Sequence, residues 1–215
     1  MATKSSASLA RRERERTDTR QKILEAARKM FLRNGYEATT MRAIAEEAEY
    51  TATAIYHHFR NKDALLTELC SIDFRALAQA FLRIGRVPDP LERLAKIGEA
   101  YVDFAYANPM QYRLMFMTPR PEGFGTHGAH QGDPSEDAYD MLRQTCAEAI
   151  ASGRLRPELD DPDALAQIAW GAVHGVVALQ IVKGDDASFQ WRDARELART
   201  SCATLVRGML RSADQ

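Results

Sequence analysis

Residues 40–62 read TMRAIAEEAEYTATAIYHHFRNK, and the patterning of this stretch decides the fold. Ile44 and Ala48 lie four apart, as do Ile55 and Phe59. Each pair occupies one face of a short helix, and the two faces can close into an apolar joint. Thr39 or Thr40 suits the N-cap of the first helix and Thr51 that of the second, because a threonine oxygen can accept from a free first-turn N–H. At helical spacing, Thr53, Tyr56 and His57 fall on the side away from Ile55. Two braced helices with polar side chains turned outward suit insertion into a DNA major groove.

Around this core lies a longer ordered set. It comprises Arg20-x-x-Ile23-Leu24-x-Ala26-Ala27, Phe31-x-x-x-Gly35-Tyr36-x-x-Thr39-Thr40, Ile44-Ala45-x-x-Ala48 and Ile55-Tyr56-x-His58-Phe59-x-Asn61-Lys62-x-x-Leu65. The set resembles the DNA-binding domain of TetR-family (tetracycline-repressor-like) transcriptional regulators over about the first third of the chain. Where that family usually has Gly-Val-Ser in the turn, this chain has Glu49, Tyr50 and Thr51; Ala52 and Ala54 stand where the family often has Lys and Thr. A non-glycine turn residue is strained if its φ is positive.

The whole chain is consistent with a soluble globular protein of one or two domains, long enough to bury a core. The formal net charge of −1 conceals an asymmetry. Residues 1–62 hold 13 Lys+Arg against 8 Asp+Glu, and the remainder 16 against 22. A basic head on an acidic body suits one end facing phosphate. Cys70, Cys146 and Cys202 are far apart and lack metal-ligand spacing, as expected of small buried residues in a reducing cytosol. No apolar segment precedes the first charged helix and no run approaches the ~20 apolar residues needed to span a bilayer, so the expected location is cytoplasmic, without a membrane partner.

The spacing predicts an all-α chain. Residues 1–16 read as a flexible basic arm with Arg11, Arg12, Arg14 and Arg16, either a disordered tail or an arm reaching phosphates or a minor groove. Residues 17–62 read as the helix-turn-helix domain, its first helix starting at Thr17 or Asp18 and stopping before Gly35. Residues 63–215 read as a six-helix body. Asp89-Pro90-x-Glu92, Asp133-Pro134-x-Glu136 and Asp161-Pro162 each set a capping carboxylate before a first-turn proline. They predict helices over 90–107, 134–152 and 162–183. Asn108-Pro109 leads to a short helix over 110–117; other helices are expected over 63–85 and 191–211. Residues 119–133 are rich in Gly and Pro and read as a loop. Ile168–Val182 is apolar nearly all round, so the helix needs cover on two sides. A second copy is the expected cover, through Ala172, Gly175, Val176 and Leu179 with Ala198, Cys202 and Leu205 of the last helix.

Catalytic arrangements are missing: the sequence has no phosphate loop after a strand, no His-Glu-x-x-His and no Cys-x-x-Cys. Neither an enzyme nor a cofactor is expected. His127 and His130 share a Gly-rich loop, a weak signal for metal. On the DNA side, Thr53 and His57 are candidates for base edges and Tyr56 for a phosphate; Thr40, Thr51, Ala52 and Lys62 complete the surface. Trp170, His174 and Gly175, in WGAVHG, resemble a subclass of TetR-type C-terminal domains. That resemblance implies a homodimer on a pseudo-palindromic operator and a cavity for a small apolar or amphipathic effector. The candidate lining is Tyr101, Phe104, Met115, Phe116, Trp170 and His174, residues that equally suit a packed core. His174 reads either as an orienting polar group or as a hydrogen-bonded core histidine. Two alternatives stand beside a ligand-released repressor: a DNA-binding regulator without an effector, and a helical enzyme or adaptor carrying a helix-turn-helix.

Overall fold

The computed structural model describes residues 2–119 and 137–211. Among these there are nine helices: α1 (Ala2–Asn34), α2 (Met41–Glu47), α3 (Ala52–Tyr56), α4 (Lys62–Leu82), α5 (Pro90–Ala107), α6 (Pro109–Phe116), α7 (Ala138–Ala151), α8 (Pro162–Lys183) and α9 (Ala194–Met209). The one β feature among the described residues is an isolated antiparallel bridge between Leu155 and Leu210. The all-α expectation holds.

The chain forms two compact units, Met1–Ile72 with Tyr112–Thr126, and Asp73–Gln111 with His127–Gln215. The division therefore falls inside α4 rather than at Lys62. The first turns of α4 belong to the head because they close its core: Leu65, Leu66, Leu69 and Cys70 are buried. Asn61 Oδ1 also accepts from Ala64 N at 2.9 Å, so the helix is capped from within the head.

In the head, Ile23, Ala27, Phe31, Ile44, Ala45, Ile55 and Phe59 are buried together as the periodicity requires. Gly35 ends α1 at φ +80° with open space around its α-carbon. Thr40 Oγ1 accepts from Ala43 N at 3.1 Å and caps α2. Thr39 is instead buried, its hydroxyl donating to Gly35 O at 2.7 Å. Glu49 sits in the turn at φ 60°, a left-handed conformation that costs an L-residue about 1–2 kcal/mol.

The first helix departs from expectation. It does not begin at Thr17 but continues back to Ala2. The hydroxyls of Thr17 and Thr19 donate to the carbonyls of Glu13 and Glu15 at 2.9 and 2.8 Å, one turn back, instead of capping a new helix. An Arg11–Glu15 ion pair adds local support.

In the body, α5 packs against α7, α8 and α9, and α8 packs between α7 and α9. The two Asp-Pro starts behave as predicted. Asp89 Oδ1 accepts from Leu91 N and Glu92 N, and Asp161 Oδ1 from Asp163 N and Ala164 N. Helix α7 begins later than predicted, with Asp137 as its cap; the Asp133-Pro134 signature lies outside the described residues. At Gly98 the helices cross closely, where an added Cβ would stand 2.5 Å from Cys202 Sγ and 3.2 Å from Val173 Cγ1. After α9 the chain folds back: Arg156 N donates to Met209 O at 2.9 Å and Arg211 N to Arg154 O at 3.0 Å, around the Leu155–Leu210 bridge.

Contrary to the residue count made from sequence, α8 is long and apolar enough by length and composition to cross a membrane. Its Leu165, Ala166, Ala169, Val173 and Val177 are nonetheless buried within its own unit. The opposite side is uncovered in the single chain: Ile168 is 49 %, Leu179 58 % and Val182 60 % exposed, and a Cβ added at Gly171 or Gly175 would meet no neighbouring element within 4 Å.

Candidate nucleic-acid interface and body cluster

Five residues are too few to hold a helix in water, so α3 depends on its surroundings. Ile55 and Phe59 are buried beneath it, and Thr51 Oγ1 accepts from Ala54 N at 3.2 Å at its start. With the helix pinned on that side, Thr53, Tyr56 and His57 are exposed, Tyr56 by 55 %. These are the three outward residues of the sequence reading, and they form one polar row. Thr40 and Thr51 are exposed, but their oxygens already serve as helix caps. Ala52 is half-buried.

Lys62 is anchored within the head. Its ammonium donates to Tyr36 O at 3.0 Å and Glu37 O at 3.2 Å, and lies 4.3 Å from the Tyr36 ring centroid. Two carbonyls and an aromatic face orient the charge at the edge of the head. Tyr36 also donates its hydroxyl to Asp63. Burial and that carboxylate push the tyrosine pKa well above its ordinary value.

A residue without a sequence-derived role braces the turn after α3. Arg20 donates to His58 O at 3.1 Å, pairs with Glu68 at 3.1 Å and lies with its guanidinium 4.2 Å over the Phe59 ring. Its place in the ordered motif is visible in sequence; its three partners lie in the turn after α3 and on α4. His58 is half-buried with its Nδ1 enclosed and unbonded. Burial, with Arg16, Arg20 and His57 nearby, holds its pKa below the ordinary histidine value.

In the body, three of the six candidate lining residues meet through polar atoms. Trp170 Nε1 donates to Tyr101 Oη at 3.2 Å, and Tyr101 Oη lies 2.8 Å from His174 Nδ1. Indole can only donate, and the tyrosine has one hydroxyl proton. Trp170 therefore donates to Tyr101, and the direction of the Tyr101–His174 bond follows the His174 tautomer. Burial lowers the His174 pKa, which favours the neutral ring. The Trp170 and His174 rings stand edge to face at 5.8 Å. Tyr139 joins at 6.3 Å from Trp170 and donates to Asp163 Oδ1 at 3.3 Å. Sequence reading missed Tyr139, which lies at the α7 start placed too early. Phe104 is buried on α5, one turn after Tyr101. Met115 and Phe116 belong to the first unit; Met115 is buried there, and the Tyr112 and Phe116 rings lie 4.9 Å apart.

Of the dimer-face candidates, Leu179 is exposed and Ala172, Gly175, Val176 and Leu205 are half-exposed. Ala198 and Cys202 are corrected: they are 1 % and 7 % exposed and face the body's own core. The periodic stripe on α9 defined an apolar side, and the chain itself covers it. All three cysteines are buried, and none forms a disulfide. Burial pushes the Cys146 thiol up to about 12 and, with Glu99 nearby, the Cys202 thiol up to about 11. His127 and His130 lie outside the described residues.

Comparison with known proteins places both halves. Residues 23–69 match the family described as bacterial regulatory proteins, tetR family, and residues 94–205 match a tetracyclin repressor-like C-terminal domain. The HTH-type nicotine-responsive transcriptional repressor HdnoR of Paenarthrobacter nicotinovorans is 26 % identical over 140 residues, covering 65 % of this chain and 71 % of that one. The HTH-type transcriptional repressor AcnR of Corynebacterium glutamicum is 38 % identical over 71 residues, covering 33 % of this chain and only 38 % of its own. Among solved structures, NalD, the secondary repressor of the MexAB-OprM multidrug efflux pump in Pseudomonas aeruginosa, superposes with a TM-score of 0.71 at 22 % identity, covering 93 % of this chain and 99 % of that one. This last likeness concerns the fold.

Proposed function

The chain belongs to the TetR family of bacterial regulatory proteins, a family of helix-turn-helix transcriptional regulators, and from that premise we propose that it is a cytoplasmic homodimeric repressor released from its operator by a small apolar or amphipathic effector. The observation that carries the DNA side is the exposed row Thr53, Tyr56 and His57 on a helix capped by Thr51 and pinned by Ile55 and Phe59. Thr53 and His57 offer groups for base edges, and Tyr56 a hydroxyl for a phosphate. Two copies of the row in a dimer would enter successive major grooves of a pseudo-palindrome, about 34–36 Å apart.

The uncovered side of α8 supports the dimer. Ile168, Leu179 and Val182 form an apolar stripe broken by Gly171 and Gly175, which permit close backbone approach. The Tyr101–Trp170–His174 cluster supports an effector site in the body, with flat rings and one oriented histidine. HdnoR is named for its response to nicotine, a small amphipathic molecule of the class proposed here. Binding would favour one arrangement of the dimer over another, and a coupling of about 1–3 kcal/mol suffices for release. A regulator without an effector has one observation on its side: Tyr101 is buried and the cluster's polar atoms already bond one another.

Selection of bound sites from random duplex DNA supplies the operator. Replacing Tyr56 and His57 together with alanine is expected to abolish binding to it while leaving dimer mass and helicity unchanged. Undiminished binding by that variant would remove α3 from the interface.

A further inference from the structure

Helix α1 runs past the edge of the three-helix head. Residues 8–17 are helical and exposed, and Arg11, Arg12, Arg14 and Arg16 fall within six of them. Contacts at the base of this arm fix where it leaves the head. Thr19 Oγ1 lies 3.5 Å from Tyr50 Oη in the turn before α3, and Arg20 donates to His58 O just after α3. The arm thus departs beside the segment that carries Thr53, Tyr56 and His57. One turn beyond Arg20, Arg16 is near enough to His58 to bear on its charge.

The arginines divide by side. At about 100° per residue, Arg12 and Arg16 lie within about 80° of Arg20, while Arg11 and Arg14 lie on the far side. The far pair makes local bonds: Arg11 Nε meets Glu15 Oε1 at 3.5 Å, and Arg14 Nε donates to Ala10 O at 3.2 Å. The back-bonded hydroxyls of Thr17 and Thr19 carry the helix continuously through the junction. Arg12 and Arg16 are therefore presented from a rod anchored at Arg20.

We propose that Arg12 and Arg16 form a second DNA contact, laying two guanidinium groups on backbone phosphates that flank the site entered by α3. A guanidinium fork matches phosphate geometry, and phosphate contacts fix position without reading bases. This arm adds affinity, register and salt dependence, and leaves sequence preference to α3. It rests on the regulator reading above.

The test uses the full chain and a duplex of about 30 bp carrying the selected site, with binding followed by fluorescence anisotropy from roughly 50 to 200 mM salt. R12Q/R16Q is expected to weaken binding roughly tenfold at about 0.15 M salt and to flatten the slope of log Kobs against log salt by about 3–4, at about 0.9 per lost phosphate contact for two contacts on each of two arms. R12K/R16K, which keeps the charge, retains most of the slope. R11Q/R14Q removes equal charge from the far side and changes the slope by less than about 1. On a duplex trimmed to the footprint of the two α3 helices, R12Q/R16Q and the unmodified chain bind alike. An unchanged slope in R12Q/R16Q, or equal losses from both glutamine pairs, overturns the proposal while leaving the regulator reading intact. If the unmodified chain binds no duplex at low salt, it is the regulator reading that fails.

Discussion

Replacing Glu49 with glycine should stabilise the head. Glu49 holds φ 60° in the turn between α2 and α3, where Tyr50 N donates to Ala45 O at 2.9 Å and fixes the backbone. The left-handed conformation costs an L-residue about 1–2 kcal/mol. Glycine removes that cost but loses about 0.5–1 kcal/mol more conformational entropy on folding. The net expectation is stabilisation by about 0.5–1 kcal/mol. Trp170 and Trp191 both lie in the second unit, so a probe within the head is the direct one. Amide hydrogen exchange over residues 40–62 is such a probe, and this gain corresponds to about two- to five-fold slower exchange of Ile44, Ala45 and Ile55 if they exchange through opening of the head. Glu49→Ala is the control: it removes the same exposed carboxylate but keeps the Cβ, and so the strain. Equal protection in Glu49→Ala and Glu49→Gly would mean that charge, not backbone, sets the cost. Faster exchange in Glu49→Gly would refute the strain argument outright.

Two further outcomes follow from the body. Gly98→Ala drives a Cβ to 2.5 Å from Cys202 Sγ; urea unfolding should show a loss of about 1–2 kcal/mol that Cys202→Ala relieves, with a coupling of at least about 1 kcal/mol in the double-mutant cycle. His174 has a pKa lowered from 6.5 by burial. The unfolded chain then binds more protons in the window just below 6.5, so His174's contribution is complete above that value and declines as pH falls through the window. His58 is lowered as well and acts with the same sign. Urea unfolding followed by Trp170 fluorescence at about pH 7.5 and 5.5 should therefore show a smaller acid loss in His174→Gln than in the unmodified chain; identical losses would dismiss a role for His174.

Much of the architecture was readable because the chain marks its helix ends chemically. Asp89-Pro90 and Asp161-Pro162 place α5 and α8 correctly, since a carboxylate cap followed by proline has few other uses. Thr17 misled for a definable reason. Threonine next to aspartate looks like a cap, but its hydroxyl can equally bond the carbonyl one turn back, and only three-dimensional context chooses. Lys62 shows the same limit for charge: its position after α3 is legible in sequence, but its bonds to Tyr36 O and Glu37 O are not. On α9, the three-and-four repeat located an apolar stripe without saying what covers it, and Ala198 and Cys202 turned inward. The exposed row of Thr53, Tyr56 and His57 was legible because Ile55 and Phe59 fix its rotation. In the body cluster, Trp170 and His174 are four apart on one helix, whereas Tyr139 arrives from a helix whose start the sequence misplaced.

The fold-back after α9 has a consequence for stiffness. Asp193 holds the first turn of that helix, and the exchange of bonds among Arg154, Arg156, Met209 and Arg211 buttons down its last. A helix end frays readily where its last carbonyls lack partners. Here the last turn of α9 is stitched to the segment that precedes α8, so α8 and α9 sit inside a closed circuit of chain. The exposed stripe of Ile168, Leu179 and Val182 on α8 is carried on this circuit.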